Sequence, residues 1–114
     1  MRVFLLAVVL ALYSVNCFSA TESSFDTKVE RIFAYTEFGN GDVGFWLTEN
    51  EGKECYGYWM SPISKGFDAN FSLLLSAYHA NSNVIVYGKL GDDNRWPGST
   101  SGHYCKVDVI ILKK

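Results

Sequence analysis

Phe67-Asp68-Ala69-Asn70-Phe71-Ser72-Leu73-Leu74-Leu75-Ser76-Ala77-Tyr78-His79-Ala80 is the stretch on which the fold turns. Phe67, Phe71, Leu74, Leu75 and Tyr78 recur at the spacing of a single apolar helix stripe. Asp68 lies in the first turn, where a carboxylate favours the positive end of the helix dipole. Asn81 and Asn83 follow the last periodic residue and supply a stop. The spacing predicts a helix over 67–80, the only long one after the N-terminal twenty residues. The sequence on both sides of it reads as strand.

Upstream, Cys55-Tyr56-Gly57-Tyr58-Trp59-Met60 is a strand closed by Pro62, which removes a donor that a ladder needs. Before it, Val29 to Phe38 and Val43 to Thr48 flank Gly39-Asn40-Gly41-Asp42, two glycines and an Asn-Gly pair suited to a hairpin turn. In the first of these strands Val29, Arg31, Phe33, Tyr35 and Glu37 oppose Glu30, Ile32, Ala34, Thr36 and Phe38. Neither set is purely apolar, which suits a long strand that twists or bends. Downstream, Asn83 to Leu90 is a strand, 91–102 a long loop, and His103 to Leu112 a last strand with Cys105, Val107, Val109 and Ile111 on one face.

The order is thus β-β-β-α-β-β, mostly β with one helix. One helix cannot cover both faces of five strands, so the sheet is expected to curl into a five-stranded OB-like β-barrel with the helix plugging one end. A sheet with the helix packed on one face is the alternative. Residues 28–114 form this single domain, and the polar stretch 21–27 is expected to be a flexible arm.

The first twenty residues read differently. Met1-Arg2 carries one positive charge, Val3 to Leu12 has no polar side chain, and small Ser19 and Ala20 follow. That is the order of a secretory signal peptide, 1–20. The apolar run is about half the roughly 20 residues that a spanning helix requires. A lipoprotein cysteine at Cys17 fits less well, since Asn16 stands where such sites carry a small residue. The expected location is secreted or periplasmic, without a membrane span.

Removal of the signal changes the charge and the cysteine count. The full chain of 114 residues has a formal net charge of −2. Without Arg2, nine basic residues face twelve acidic ones. No broad basic field remains for nucleic acid or anionic lipid. Three cysteines become two, Cys55 and Cys105, which are expected to pair in an oxidising compartment. A bridge closing some fifty residues contributes roughly 4 kcal/mol on chain-entropy grounds.

Catalytic patterns are weak. His79 and His103 have no second ligand at metal spacing, and no serine sits in a nucleophile-elbow setting. Glu49, Glu51 and Glu54 cluster in a Gly- and Asn-bearing turn that reads as a solvated tip rather than a pair of catalytic acids. The expectation is a non-enzymatic protein with no metal and no cofactor. The unusual feature is aromatic content, with three Trp, seven Tyr and eight Phe. Such rings serve as sugar-stacking platforms and as subunit interfaces. Trp96 stands out, because it sits in the loop Asp92-Asp93-Asn94-Arg95-Trp96-Pro97, where binding groups concentrate and a buried hydrophobe is least expected.

Cys55 through Leu90 resembles the cell-binding B subunits of pertussis-like and subtilase-type A-plus-five-B bacterial toxins. The shared pattern is a cysteine-bearing aromatic strand, a Ser-Pro break at Ser61-Pro62, the helix Phe67 to Tyr78, and directly after it the strand Asn83-Val84-Ile85-Val86-Tyr87-Gly88. The resemblance implies an OB-fold subunit in a homopentamer whose helices line a central channel. It also implies an A-chain partner and binding of a sialylated or other cell-surface glycan. This chain has Phe45-Trp46-Leu47 where those relatives often carry a cysteine. The counterpart of their sugar pocket is Thr36-Glu37-Phe38-Gly39-Asn40, where Glu37 and Asp42 would repel a sialic carboxylate. The expected ligand contacts are Thr36, Asn40, Arg95 and Trp96. The competing expectation is a secreted inhibitor or immunity-type protein acting on another protein.

Overall fold

The computed structural model describes residues 20–50, 54–99 and 102–114. Residues 1–19 of the expected signal peptide, Cys17 among them, lie outside the described residues. So do Glu51, Gly52 and Lys53 of the acidic turn, and Thr100 and Ser101 of the long loop.

Over the described residues the fold is mostly β with one α-helix: β1 (Thr21–Ser23), β2 (Thr27–Ala34), β3 (Val43–Leu47), β4 (Gly57–Met60), α1 (Phe67–Ala80), β5 (Asn83–Lys89) and β6 (Tyr104–Leu112). Among the described residues there are six strands where five were expected. The sixth is β1, inside the segment expected to be a free arm. It pairs antiparallel with β5, Thr21 opposite Lys89 and Ser23 opposite Tyr87. No apolar pattern marks it because hydrogen bonds hold it. Buried Ser24 exchanges bonds with Val86 (its N–H to Val86 O at 2.8 Å, Val86 N–H to its Oγ at 2.9 Å). The Glu22 carboxylate accepts the N–H groups of Glu54 and Cys55 at 3.0 and 3.1 Å.

The remaining pairings run in a circuit. β2 pairs with β3, β3 with β4, β4 with β6, β6 with β5, and β5 returns to the start of β2. All are antiparallel except β4–β6. In β2 the register shifts between Val29 and Arg31. This β-bulge explains why neither alternating set was purely apolar. Val29 faces the core before it and Ile32 after it. Beyond Ala34 the chain leaves the strand, four residues earlier than the pattern suggested.

The core is closed by α1, packed against β2 and β6. Leu74 and Ala77 are buried, and Phe67, Phe71 and Leu73 flank them. Tyr78, expected on this stripe, is 46% exposed instead; Ala77 takes the inward position. The helix stops at Asn81, which adopts the left-handed conformation (φ 53°). Phe45 and Tyr58 stack at 5.4 Å in the centre. Cys55 and Cys105 form the expected disulfide with a Cα–Cα distance of 5.4 Å. β5 lies so close to the bridge that a Cβ on Gly88 would meet the Cys105 Cβ at 2.8 Å and the Cys55 Sγ at 3.0 Å.

Candidate functional site

Partners directly opposite in a ladder project from the same sheet face, so the registers define the outer face of β2, β3, β4 and β6. One row runs Phe33, Gly44, Trp59, Lys106. In the neighbouring row Arg31 opposes Trp46, and Gly57 opposes Tyr104. Each glycine leaves the floor flat, and a ring lies across it. A Cβ on Gly44 would be 2.3 Å from the Phe33 ring, and one on Gly57 would be 2.5 Å from the Tyr104 ring and 3.1 Å from Trp46. These outer rings are the chain neighbours of core residues: Trp46 follows Phe45, Trp59 follows Tyr58 and Tyr104 precedes Cys105.

Two loops wall this floor. The first, 35–42, joins β2 to β3. Gly39 and Gly41 take positive φ (63° and 80°), and Tyr35 N–H closes the loop on Asp42 O at 2.9 Å. Asp42 is 3% exposed. One of its oxygens accepts Asn40 N–H at 3.3 Å. The other accepts Trp96 Nε1–H at 3.0 Å from the second loop, between β5 and β6. That loop turns through Asp92–Asn94 and then lies along β6. There Arg95 bridges to Cys105, and Trp96 N–H donates to Tyr104 O at 3.1 Å. Asn94 O accepts Trp59 Nε1–H at 2.9 Å and pins the loop to β4.

Between the loops lies an open cleft of 330 Å³ lined by Arg31, Phe33, Tyr35, Trp46, Trp96, Gly98 and Tyr104. A second hollow of 250 Å³ adjoins it, sharing Tyr35, Trp96 and Gly98 and adding Phe38 and Pro97. The rings support one another. Trp96 is 5.4 Å from Tyr104, 5.5 Å from Tyr35 and 5.4 Å from Phe38, with edge-on or tilted geometry. The Arg31 guanidinium lies 4.5 Å over Trp46. Tyr104 is 7% exposed, and its hydroxyl accepts Trp46 Nε1–H. Burial raises the Tyr104 pKa, the Trp46 bond opposing it. The hydroxyl therefore stays protonated and keeps a proton to donate. Arg31 and Tyr104 thus give an aromatic cleft two hydrogen-bond donors.

The four residues expected at the site fall on these two loops, 35–42 and 91–103. Thr36 and Asn40 are exposed in the first, Arg95 is exposed in the second, and only Trp96 lines the cleft. Trp96 is not the exposed loop ring that its setting suggested. It is 3% exposed, with its edge bonded to Asp42 and Gly98 packed on its face. Arg31, Phe33, Trp46 and Tyr104 were not singled out as contacts. Their signal was the alternating set Arg31, Phe33, Tyr35 beside strand glycines Gly44 and Gly57. The chain matches no family model and no curated protein.

Proposed function

We propose that this is an exported, non-enzymatic carbohydrate-binding domain whose ligand lies in the cleft between loops 35–42 and 91–103. The observation that carries the proposal is a glycine-floored trough walled by Phe33, Trp46, Trp96 and Tyr104, with Arg31 and the Tyr104 hydroxyl as donors. Flat aromatic faces suit the C–H faces of sugar rings, and a few donors fix their hydroxyls. The cleft volume of 330 Å³ is within the range of about 300–1,000 Å³ usual for small-ligand sites.

The circuit of pairings, its single parallel pair β4–β6 and the helix between β4 and β5 support an OB-type barrel with an added edge strand. In that fold, ligands bind the face of the second and third barrel strands, between the loops joining strands one to two and four to five. Here those are β3, β4 and the two loops that Asp42 and Trp96 clasp together. The resemblance to toxin B subunits, with its ring of five and A-chain partner, rests on residue pattern alone.

The test is a glycan array probed with residues 21–114, followed by calorimetry of any hit. Trp46→Ala and Arg31→Ala should each weaken binding about tenfold or more, a loss of about 1.4 kcal/mol, with unchanged circular dichroism. An array without any hit overturns the reading. A second reading, contact with another protein, has one observation in its favour. Val109 and Ile111 are 41% and 39% exposed and oppose Tyr87 and Ile85 on the outer side of β5–β6. Light scattering that shows an oligomer disrupted by Ile111→Lys would support it, with a second copy as the partner.

A further inference from the structure

Away from the cleft, Lys89 and Lys106 stand directly opposite each other in the β5–β6 ladder. Thr21 is the next partner on the Lys89 side and Trp59 on the Lys106 side, so Thr21, Lys89, Lys106 and Trp59 form one row on the outer face. Like charges directly opposite in a ladder destabilise it, and among the described residues neither lysine makes an ion pair. Among the described residues the one ion pair is Lys113–Asp26 at 2.8 Å. Asp92 and Asp93, exposed in the turn just beyond β5, make no ion pair with either lysine. Glu22, the neighbouring acid on β1, is occupied by the N–H groups of Glu54 and Cys55.

Both lysines are half-buried, so their stems are held against the sheet. The Lys106 ammonium lies 5.4 Å over the Trp59 ring. That ring is itself fixed by its bond to Asn94 O. Adjacent strands are about 4.8 Å apart, a spacing that two flexible lysine side chains can span to share a single tetrahedral oxyanion. The exposed Thr21 hydroxyl extends the row.

We propose that Lys89 and Lys106, with Thr21 beside them, form a binding site for a sulfate or phosphate group, either the free ion or an ester carried on a larger ligand. An anion bridging the two ammonium groups turns their repulsion into attraction. The site stands independently of the carbohydrate reading of the cleft.

The experiment titrates residues 21–114 with inorganic sulfate at constant ionic strength against chloride. It follows the lysine Hε/Cε resonances and the Trp59 indole by NMR. Saturable shifts confined to Lys89, Lys106 and Trp59, and lost in both Lys89→Met and Lys106→Met, are the expected result. The thermal midpoint of each variant in chloride should equal or exceed that of the parent, since the repulsion is gone. A sulfated monosaccharide run in parallel separates the sources: tighter binding than inorganic sulfate assigns an ester, equal binding the free ion, and either supports the site. No saturable response, a response unchanged by both variants, or one abolished by Arg31→Ala instead overturns it.

Discussion

Replacing Asp42 with alanine removes a buried hydrogen bond that ties the two loops together. Its carboxylate accepts Trp96 Nε1–H at 3.0 Å, and both residues are 3% exposed. Hydrogen bonds to charged groups contribute about 1.5–3 kcal/mol, and a buried donor left unpaired costs its full desolvation. The second bond, from Asn40 N–H at 3.3 Å, is at an exposed turn and adds little. The void is small but real, because Asp42 also packs where a Cβ on Gly39 would lie 2.2 Å from its Oδ2. The expected loss is about 2–3 kcal/mol, or roughly 10–20 °C in Tm for a domain of this size. Urea unfolding followed by far-UV circular dichroism measures it without relying on indole emission. A cycle with Trp96→Phe isolates the bond. The double variant should be little worse than Asp42→Ala alone, giving a coupling energy of about 1.5–3 kcal/mol. Additive losses, or an Asp42→Ala protein within about 0.5 kcal/mol of the parent, would refute the clasp.

Two further changes test the floor and the core. Gly57→Ala puts a Cβ 2.5 Å from the Tyr104 ring. It should displace that ring, break its bond to Trp46 and destabilise by about 1–3 kcal/mol, which chemical unfolding would show; a neutral substitution would mean that the ring does not lie on Gly57. Burial pushes the Tyr58 pKa up to about 12. Its folded-state pKa exceeds the ordinary value of about 10, so its contribution is intact below pH 10 and lost as pH rises toward 12. The linked loss totals about 2–3 kcal/mol above pH 12, and about half of it develops between pH 9 and 11, where urea unfolding measures it. Tyr58→Phe should flatten that decline, and an unchanged slope would place its origin elsewhere.

The features legible in the sequence are those fixed by neighbours along the chain. The helix 67–80 showed in its periodicity, its end in Asn81, and the hairpin in Gly39 and Gly41, both of which take positive φ. The disulfide followed from cysteine parity once an exported chain was assumed. The features that were missed depend on partners far away. β1 is held by Ser24 to Val86 and by Glu22 to Glu54 and Cys55, and polar residues making such bonds have no period to read. Tyr78 lost its inward place to Ala77 because only contact with β2 and β6 selects which edge of an apolar stripe is covered. Trp96 is buried by a carboxylate 54 residues earlier in the chain.

The aromatic excess has the same explanation, and it locates the cleft. A strand sends successive side chains to opposite faces. Phe45-Trp46 and Tyr58-Trp59 therefore divide one ring inward and one outward, as Tyr104 does beside Cys105. Composition counts both layers alike and cannot tell them apart. The inner layer is completed by α1, which leaves Phe45 and Tyr58 fully buried. Among the described residues no helix lies over the outer layer. Its cover is the segment 94–98, which bonds Trp59 through Asn94, packs Trp96 against Tyr35 and Tyr104, and leaves Arg31 and Trp46 lining the cleft. A surface of rings alone would be an aggregation hazard. Here the donors are distributed across it: Trp46 bonds Tyr104, Trp96 bonds Asp42, and Arg31 lies over Trp46. These contacts hold the outer rings in fixed orientations without filling the space between the loops. A cleft whose walls are braced from behind while its front stays open loses little conformational freedom when a ligand enters, and that preorganisation separates this outer layer from surplus core.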